Sequence, residues 1–226
     1  MFVTSRLENP ESKMMEKDEK QPAAAGVADR VREVKQSLRG VMNGPVSQSM
    51  REKGLAYRVN FGVELPRLRQ MAAGWAQDSA LAAALWQEDI RECRLLAPML
   101  MPADQFDGQM ADLWADQMRY PEEAEVAVLC LFSRLPFASG KAFEWVAGEQ
   151  PMRQLCGWLL LGRLFQQGMR PAQRDADELL DQAECALRSG EAAVRTAAGK
   201  TLLRYMDFGP EEERRGEDLL SRLQGS

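Results

Sequence analysis

At 226 residues, 45% apolar and 7% aromatic, the chain is long enough to bury a substantial core and has the composition of an ordinary globular protein. It has no histidine, which removes the commonest general base, the commonest metal ligand and every histidine-dependent triad. Its net charge of −5 argues against indiscriminate binding to nucleic acid.

Residues 1–26 read as a disordered N-terminal tail, since Lys13, Glu16, Lys17, Asp18, Glu19 and Lys20 crowd together and offer little to bury. From 27 to 226 the pattern is that of one helical domain. Val27, Val31, Val34, Leu38 and Val41 keep helical spacing until Asn43-Gly44-Pro45 stops them. Ser47 is the expected cap of a short helix through Lys53, and a helix over 64–76 follows with Pro66 near its start. Ser79 is expected to cap a helix over 80–87, and 90–101 forms the next, kinked or shortened by Pro98. One helix is predicted over 103–118, with Phe106, Met110, Leu113 and Trp114 on a stripe, and another over 122–135, whose first carboxylates suit a helix N-terminus. A short helix ends at Val146, an apolar one spans 151–167 and another lies between Pro171 and Gly190. A helix over 192–205 and a charged one to Gln224 complete the chain. Good helix formers dominate and alternating β-branched runs are missing, so the fold class is all-α. Helix pairs recur about every 35–45 residues, the period of HEAT-type units, which predicts a right-handed α-solenoid of antiparallel pairs with a concave inner face. A compact non-repeating helical domain is the alternative.

The cysteines at 93, 130, 156 and 185 form no CxxC pair and read as small buried thiols of a reducing cytoplasm. No secretory leader and no membrane span is expected, and no phosphate-binding glycine loop, nucleophile elbow or metal-spaced carboxylate set is present. Neither metal nor cofactor is expected. Charge is uneven along the chain. Residues 30–70 net +6, residues 71–150 net −8 and residues 151–204 net +2. This fits a surface gripping phosphates at its edges, and equally fits ordinary solvated helix faces.

The stretch from Tyr57-Arg58-Val59-Asn60-Phe61-Gly62-Val63-Glu64-Leu65-Pro66 through Leu81-Ala82-Ala83-Ala84-Leu85-Trp86 to Ile90-Arg91-Glu92-Cys93-Arg94 resembles the AlkD-like family of HEAT-like repeat DNA alkylation repair proteins. Val194-Arg195 and Leu202-Leu203-Arg204 resemble its closing repeat, so the likeness runs from about 43 to 205. It implies double-stranded DNA as the partner and, in active members, hydrolysis of the N-glycosidic bond of a positively charged alkylpurine. The residues expected to meet DNA phosphates are Arg51, Lys53, Arg58, Arg67, Arg69, Arg153, Arg163, Arg195, Lys200 and Arg204. Arg67 and Arg69 are expected on different faces of their helix. Gly62 is expected to serve a turn, and Trp75 and Trp158 the core.

Active relatives carry a tryptophan and, four residues on, an aspartate that stabilises the positive sugar. The best aligned aromatic here is Tyr120, followed at that spacing by Ala124 with Glu123 and Glu125 on either side. A carboxylate displaced by one helical position swings through about 100°, so Glu125 serves only if the register shifts. The candidate catalytic residues are Glu125, Glu123 and Tyr120, although the glutamates also complement a helix dipole. The resemblance implies a further tryptophan near Lys200, and none is there. A non-catalytic HEAT-like scaffold for a protein partner is the alternative function.

Overall fold

The computed structural model describes residues 26–224, so the predicted tail lies almost entirely outside them. Twelve α-helices account for most of the described chain: α1 (Val27–Gly40), α2 (Gly44–Glu52), α3 (Leu65–Ala72), α4 (Ser79–Trp86), α5 (Arg91–Leu100), α6 (Gly108–Gln117), α7 (Pro121–Cys130), α8 (Ala138–Ala147), α9 (Pro151–Gln166), α10 (Gln173–Leu187), α11 (Ala192–Met206) and α12 (Pro210–Gln224). The chain is all-α. A lone parallel bridge joins Val59 to Ile90.

Local chemistry corrects several predicted boundaries. The cap of α2 is Asn43, whose side chain accepts from the Val46 N–H at 3.3 Å. Ser47 is buried instead and donates to the Asn60 carbonyl at 2.7 Å. Asp78 caps α4 at 2.7 Å in place of Ser79, because its carboxylate reaches the Leu81 amide. The predicted helix over 103–118 splits into a 3₁₀ turn at Ala103–Gln105 and α6, restarted by the Asp107 cap, and Leu113 is 53% exposed. The predicted helix over 122–135 ends at Cys130 and passes into a 3₁₀ turn, Phe132–Arg134. Pro98 is accommodated in α5, which ends shortly after it at Leu100.

Two rows of helices emerge from the packing. In the first, α3, α5, α7, α9 and α11 pack successively against one another. In the second, α1 and α4 back α5, α6 and α8 back α9, and α10 backs α11, while α12 closes the end. Short connections make neighbours antiparallel, and each hairpin buries its apolar face only by stacking on the next. One core cluster runs from Val31 to Leu219, with Trp86, Trp145 and Trp158 fully buried. The α8–α9 approach is so close that a Cβ on Gly157 would lie 2.8 Å from Val146 Cγ1 and 2.9 Å from the Ala142 carbonyl.

The acidic middle of the chain is largely paired within the stack, mostly between neighbouring elements of the second row. Asp78 meets Arg30, and Glu88 meets Lys35 at 2.5 Å. Asp89 meets Arg119, Asp112 meets Lys141 at 3.1 Å, and Asp116 meets Arg153 at 2.6 Å. The block count of −8 therefore largely describes carboxylates paired in the helix stack.

The thiols also depart from expectation. Cys93 and Cys156 are buried, Cys130 is half-buried and Cys185 is exposed. Burial pushes the Cys93 thiol up to about 12 and raises that of Cys156 as well. A disulfide-exchange reagent should therefore label Cys185 in the folded protein well before Cys93 or Cys156. Rapid labelling of all the thiols would contradict this packing.

Candidate nucleic-acid interface

The Arg91-Glu92-Cys93-Arg94 run lies at the start of α5 and is entirely buried. Glu92 accepts from the backbone N–H groups of Phe61 at 3.0 Å and Val63 at 3.1 Å, so its carboxylate holds the turn around Gly62. Gly62 has φ +72°, and a Cβ there would lie 2.2 Å from the Asn43 carbonyl and 2.6 Å from the Ser47 nitrogen. The turn thus requires glycine on two counts. Arg91 donates to both Glu122 oxygens, through Nε at 3.0 Å and Nη2 at 2.8 Å, and to the Val63 carbonyl through Nη1 at 2.9 Å. Arg94 donates to Glu123 at 2.6 Å and to the carbonyls of Trp86 at 2.9 Å and Gln117 at 2.7 Å, with its guanidinium 4.2 Å from the Trp86 ring centroid. Buried charges persist only when compensated in this way.

This network decides the fate of the predicted catalytic group. Glu123 has a fully buried side chain that accepts from Arg94, from the Tyr57 hydroxyl at 2.9 Å and from the Arg119 backbone N–H at 2.8 Å. It has no face toward a substrate, and its assignment as a stabiliser is corrected to a structural one. Burial, then the Glu123 and Glu122 charges, push the Tyr57 hydroxyl far up, so it remains a donor. Tyr120 caps α7 with its backbone, accepts from the Ala56 N–H at 2.9 Å through its hydroxyl, and tilts against Tyr57 at 4.7 Å. It fastens the 53–64 connector and lies outside the cleft that holds Glu125.

Glu125 is exposed on the opposite side of α7. It lines a cleft of about 260 Å³ between α7, α9 and α11, with Pro121, Leu155, Leu159, Thr196 and Lys200 among its walls. Pro121 and Glu125 are an i,i+4 pair, so they share a face. That face lies on the other side of the helix from the buried Glu123. Pro121, Glu125 and Leu129 share helical spacing along the more accessible stripe of α7. Glu125 and Lys200 are the two charges in an otherwise largely apolar lining.

The predicted phosphate contacts fall into three groups. Lys200 is in the Glu125 cleft, and Arg163 lies one turn beyond Leu159 on α9, half-buried, with its Nε lacking any hydrogen-bond partner. Arg69 lines a second cleft between α3, α5 and α7. Arg67 faces the other way, toward α1, as the two-residue spacing requires, and is bonded to Gln70. Others turn aside: Arg153 makes a bidentate pair with Asp116 on α6 at 2.6 Å, Arg195 donates to the Ser189 carbonyl at 2.5 Å, and Arg204 lies against Gln166 and Gly162. Arg51, Lys53 and Arg58 are exposed at the end of α2 and in the following connector, and they line neither cleft. Both clefts open on the face of the α3–α11 row turned away from the second row, because no residue of α1, α4, α6, α8 or α10 lines them. Trp75 is half-buried there, packed on the core and open to solvent on one side, whereas Trp158 is core as expected. Among the described residues no group of three or more Cys, Asp or Glu is placed to hold a metal, and no helix is long and apolar enough to cross a membrane.

A solved structure shares this architecture. Described as a new family of proteins related to the HEAT-like repeat DNA glycosylases with affinity for branched DNA structures, it superimposes with a TM-score of 0.71, at 16% identity, over 82% of this chain and 80% of that one. The fold is thus HEAT-like. No curated protein sequence matches significantly. The sequence model of the family described as DNA alkylation repair enzyme matches residues 34–215, which takes in the buried Arg91–Glu123 network and both clefts, and the chain belongs to that family.

Proposed function

We propose that the protein binds duplex DNA along the open face of the α3–α11 row and, in the Glu125 cleft, removes positively charged alkylpurines. The cleft carries the reading: one accessible carboxylate stands in a largely apolar hollow of about 260 Å³, beside a single lysine. Lys200 and Arg163 take flanking phosphates as point charges, without base readout. In the reaction the bond from the sugar carbon to the purine nitrogen breaks. Its electron pair leaves with the base and neutralises it, and the sugar becomes an oxocarbenium ion. Glu125 stabilises that charge through space until water adds to the sugar carbon and loses a proton to solvent. A cationic leaving group departs readily, so no general acid is needed.

Two further observations support this reading. The neighbouring fold is described as having affinity for branched DNA. Among the described residues the exposed large apolar side chains number only four, Met42, Leu113, Met169 and Leu203, which is few for a protein-docking face. Unpaired thiols suit a reducing cytoplasm. The test is release of 7-methylguanine from methylated duplex. E125Q should lower the single-turnover rate on the order of a hundredfold with little change in duplex affinity. An unchanged rate would remove Glu125 from the mechanism.

A further inference from the structure

The cleft between α3, α5 and α7 is larger than the Glu125 cleft, about 410 Å³, and the reading above makes no use of it. Its walls include Arg69, Trp75, Gln77, Met99, Cys130 and Arg134, and no Asp or Glu lines it. The two arginines come from α3 and from the 3₁₀ turn after α7, and they converge on one residue. Arg134 donates to the Cys130 carbonyl at 3.1 Å, while Arg69 lies beside the Cys130 thiol and opposes the upward push of burial on it. Neither is in an ion pair among the described residues, although most carboxylates of the neighbouring helices are in one. Two cations drawn together without an anion leave a local charge that a phosphate satisfies through several charge-assisted bonds. Beside them Trp75 offers the only tryptophan ring that is not buried. Base stacking on an aromatic beside a cationic groove is how single-stranded nucleic acid is held without sequence preference. A nucleotide fits the volume.

We propose that this cleft is a nucleotide subsite, in which Arg69 and Arg134 clamp a terminal phosphate and Trp75 stacks on the attached base. It deepens the DNA reading of the same face by adding an unpaired strand end as a second element of the substrate. A free nucleoside monophosphate shares that chemistry.

Trp75 also reports occupancy, because the other tryptophans are shielded. A 5′-phosphorylated dT hexamer should quench fluorescence and bind at least tenfold more tightly than the same hexamer without its phosphate. W75F should abolish the quench, and R69Q/R134Q should remove the tenfold preference. A hexamer that binds more tightly than dTMP identifies a strand end as the ligand, and equal affinity identifies the mononucleotide. Absence of quenching at low salt, equal binding without the 5′ phosphate, or an unchanged preference in R69Q/R134Q overturns the proposal. Should the double variant fail to fold, the phosphate preference of the wild type and the silent W75F still decide. Duplex binding without any Trp75 response defeats the subsite alone, and a Trp75 response without duplex binding defeats the duplex reading alone.

Discussion

Changing Glu123 to glutamine is expected to destabilise the protein by about 3–5 kcal/mol, the cost of leaving a buried partner charge uncompensated. Its carboxylate is fully buried and joins Arg94, the Tyr57 hydroxyl and the Arg119 amide. The substitution keeps the shape and removes the charge that Arg94 was buried to meet. For a chain of this size the melting temperature should fall by roughly 10 °C or more. E125Q, two positions along the same helix, should melt like the wild type because Glu125 is exposed. Thermal unfolding of the pair separates a structural glutamate from a functional one, and an E123Q protein as stable as E125Q would refute the network described here.

Gly62→Ala should be nearly as damaging. The left-handed conformation alone costs about 1–2 kcal/mol. The new methyl would also meet the Asn43 carbonyl at 2.2 Å and the Ser47 nitrogen at 2.6 Å, both backbone atoms with no rotamer to change. Those two atoms form the first hydrogen bond of α2, Ser47 N–H to Asn43 carbonyl at 2.9 Å. Overpacking adds about 1–3 kcal/mol, so a total near 3 kcal/mol is expected. Gly54 is the control, since its φ is +93° but nothing lies within 4 Å of the added Cβ. G54A should lose about 1–2 kcal/mol from conformation alone. Urea unfolding in which G62A loses no more than G54A would show that the turn can open.

Much of this fold was legible because amphipathic spacing survives in a single sequence. Val31, Val34 and Leu38 are buried together as their period required, and the HEAT-like stack followed from helix pairs of regular length. Cap residues were harder, since Asn43 competes with Ser47 four residues on and Asp78 with the adjacent Ser79, and only geometry selects among them. The site was legible only in part. Buried ion pairs such as Arg94–Glu123 have no periodic signature, so Glu123 looked as accessible as Glu125. The regional charge counts gave no view of the ion pairs that neutralise the acidic middle, because sequence blocks are not surfaces. Tyr120, the nearest aromatic, is the N-cap of α7 and lies outside the cleft that Pro121 and Glu125 line, which no spacing in the sequence reveals. Arg134 entered no sequence argument, and the meeting of Cys130 with Arg69 was invisible because Arg69 lies far away in sequence on α3.

The open face of the α3–α11 row is the central claim, and charge reversal tests it most directly. Affinity for a short duplex should be measured across a salt series for R163E/K200E and for the charge-matched R39E/R174E, whose residues lie on α1 and α10 of the second row. The account predicts that R163E/K200E weakens binding severely and lowers the slope of log K against log salt by about 2, roughly one per lost phosphate contact. R39E/R174E should keep most of the affinity and the slope. Equal losses in the two variants, or a larger loss in R39E/R174E, would place DNA elsewhere on the molecule and contradict the account.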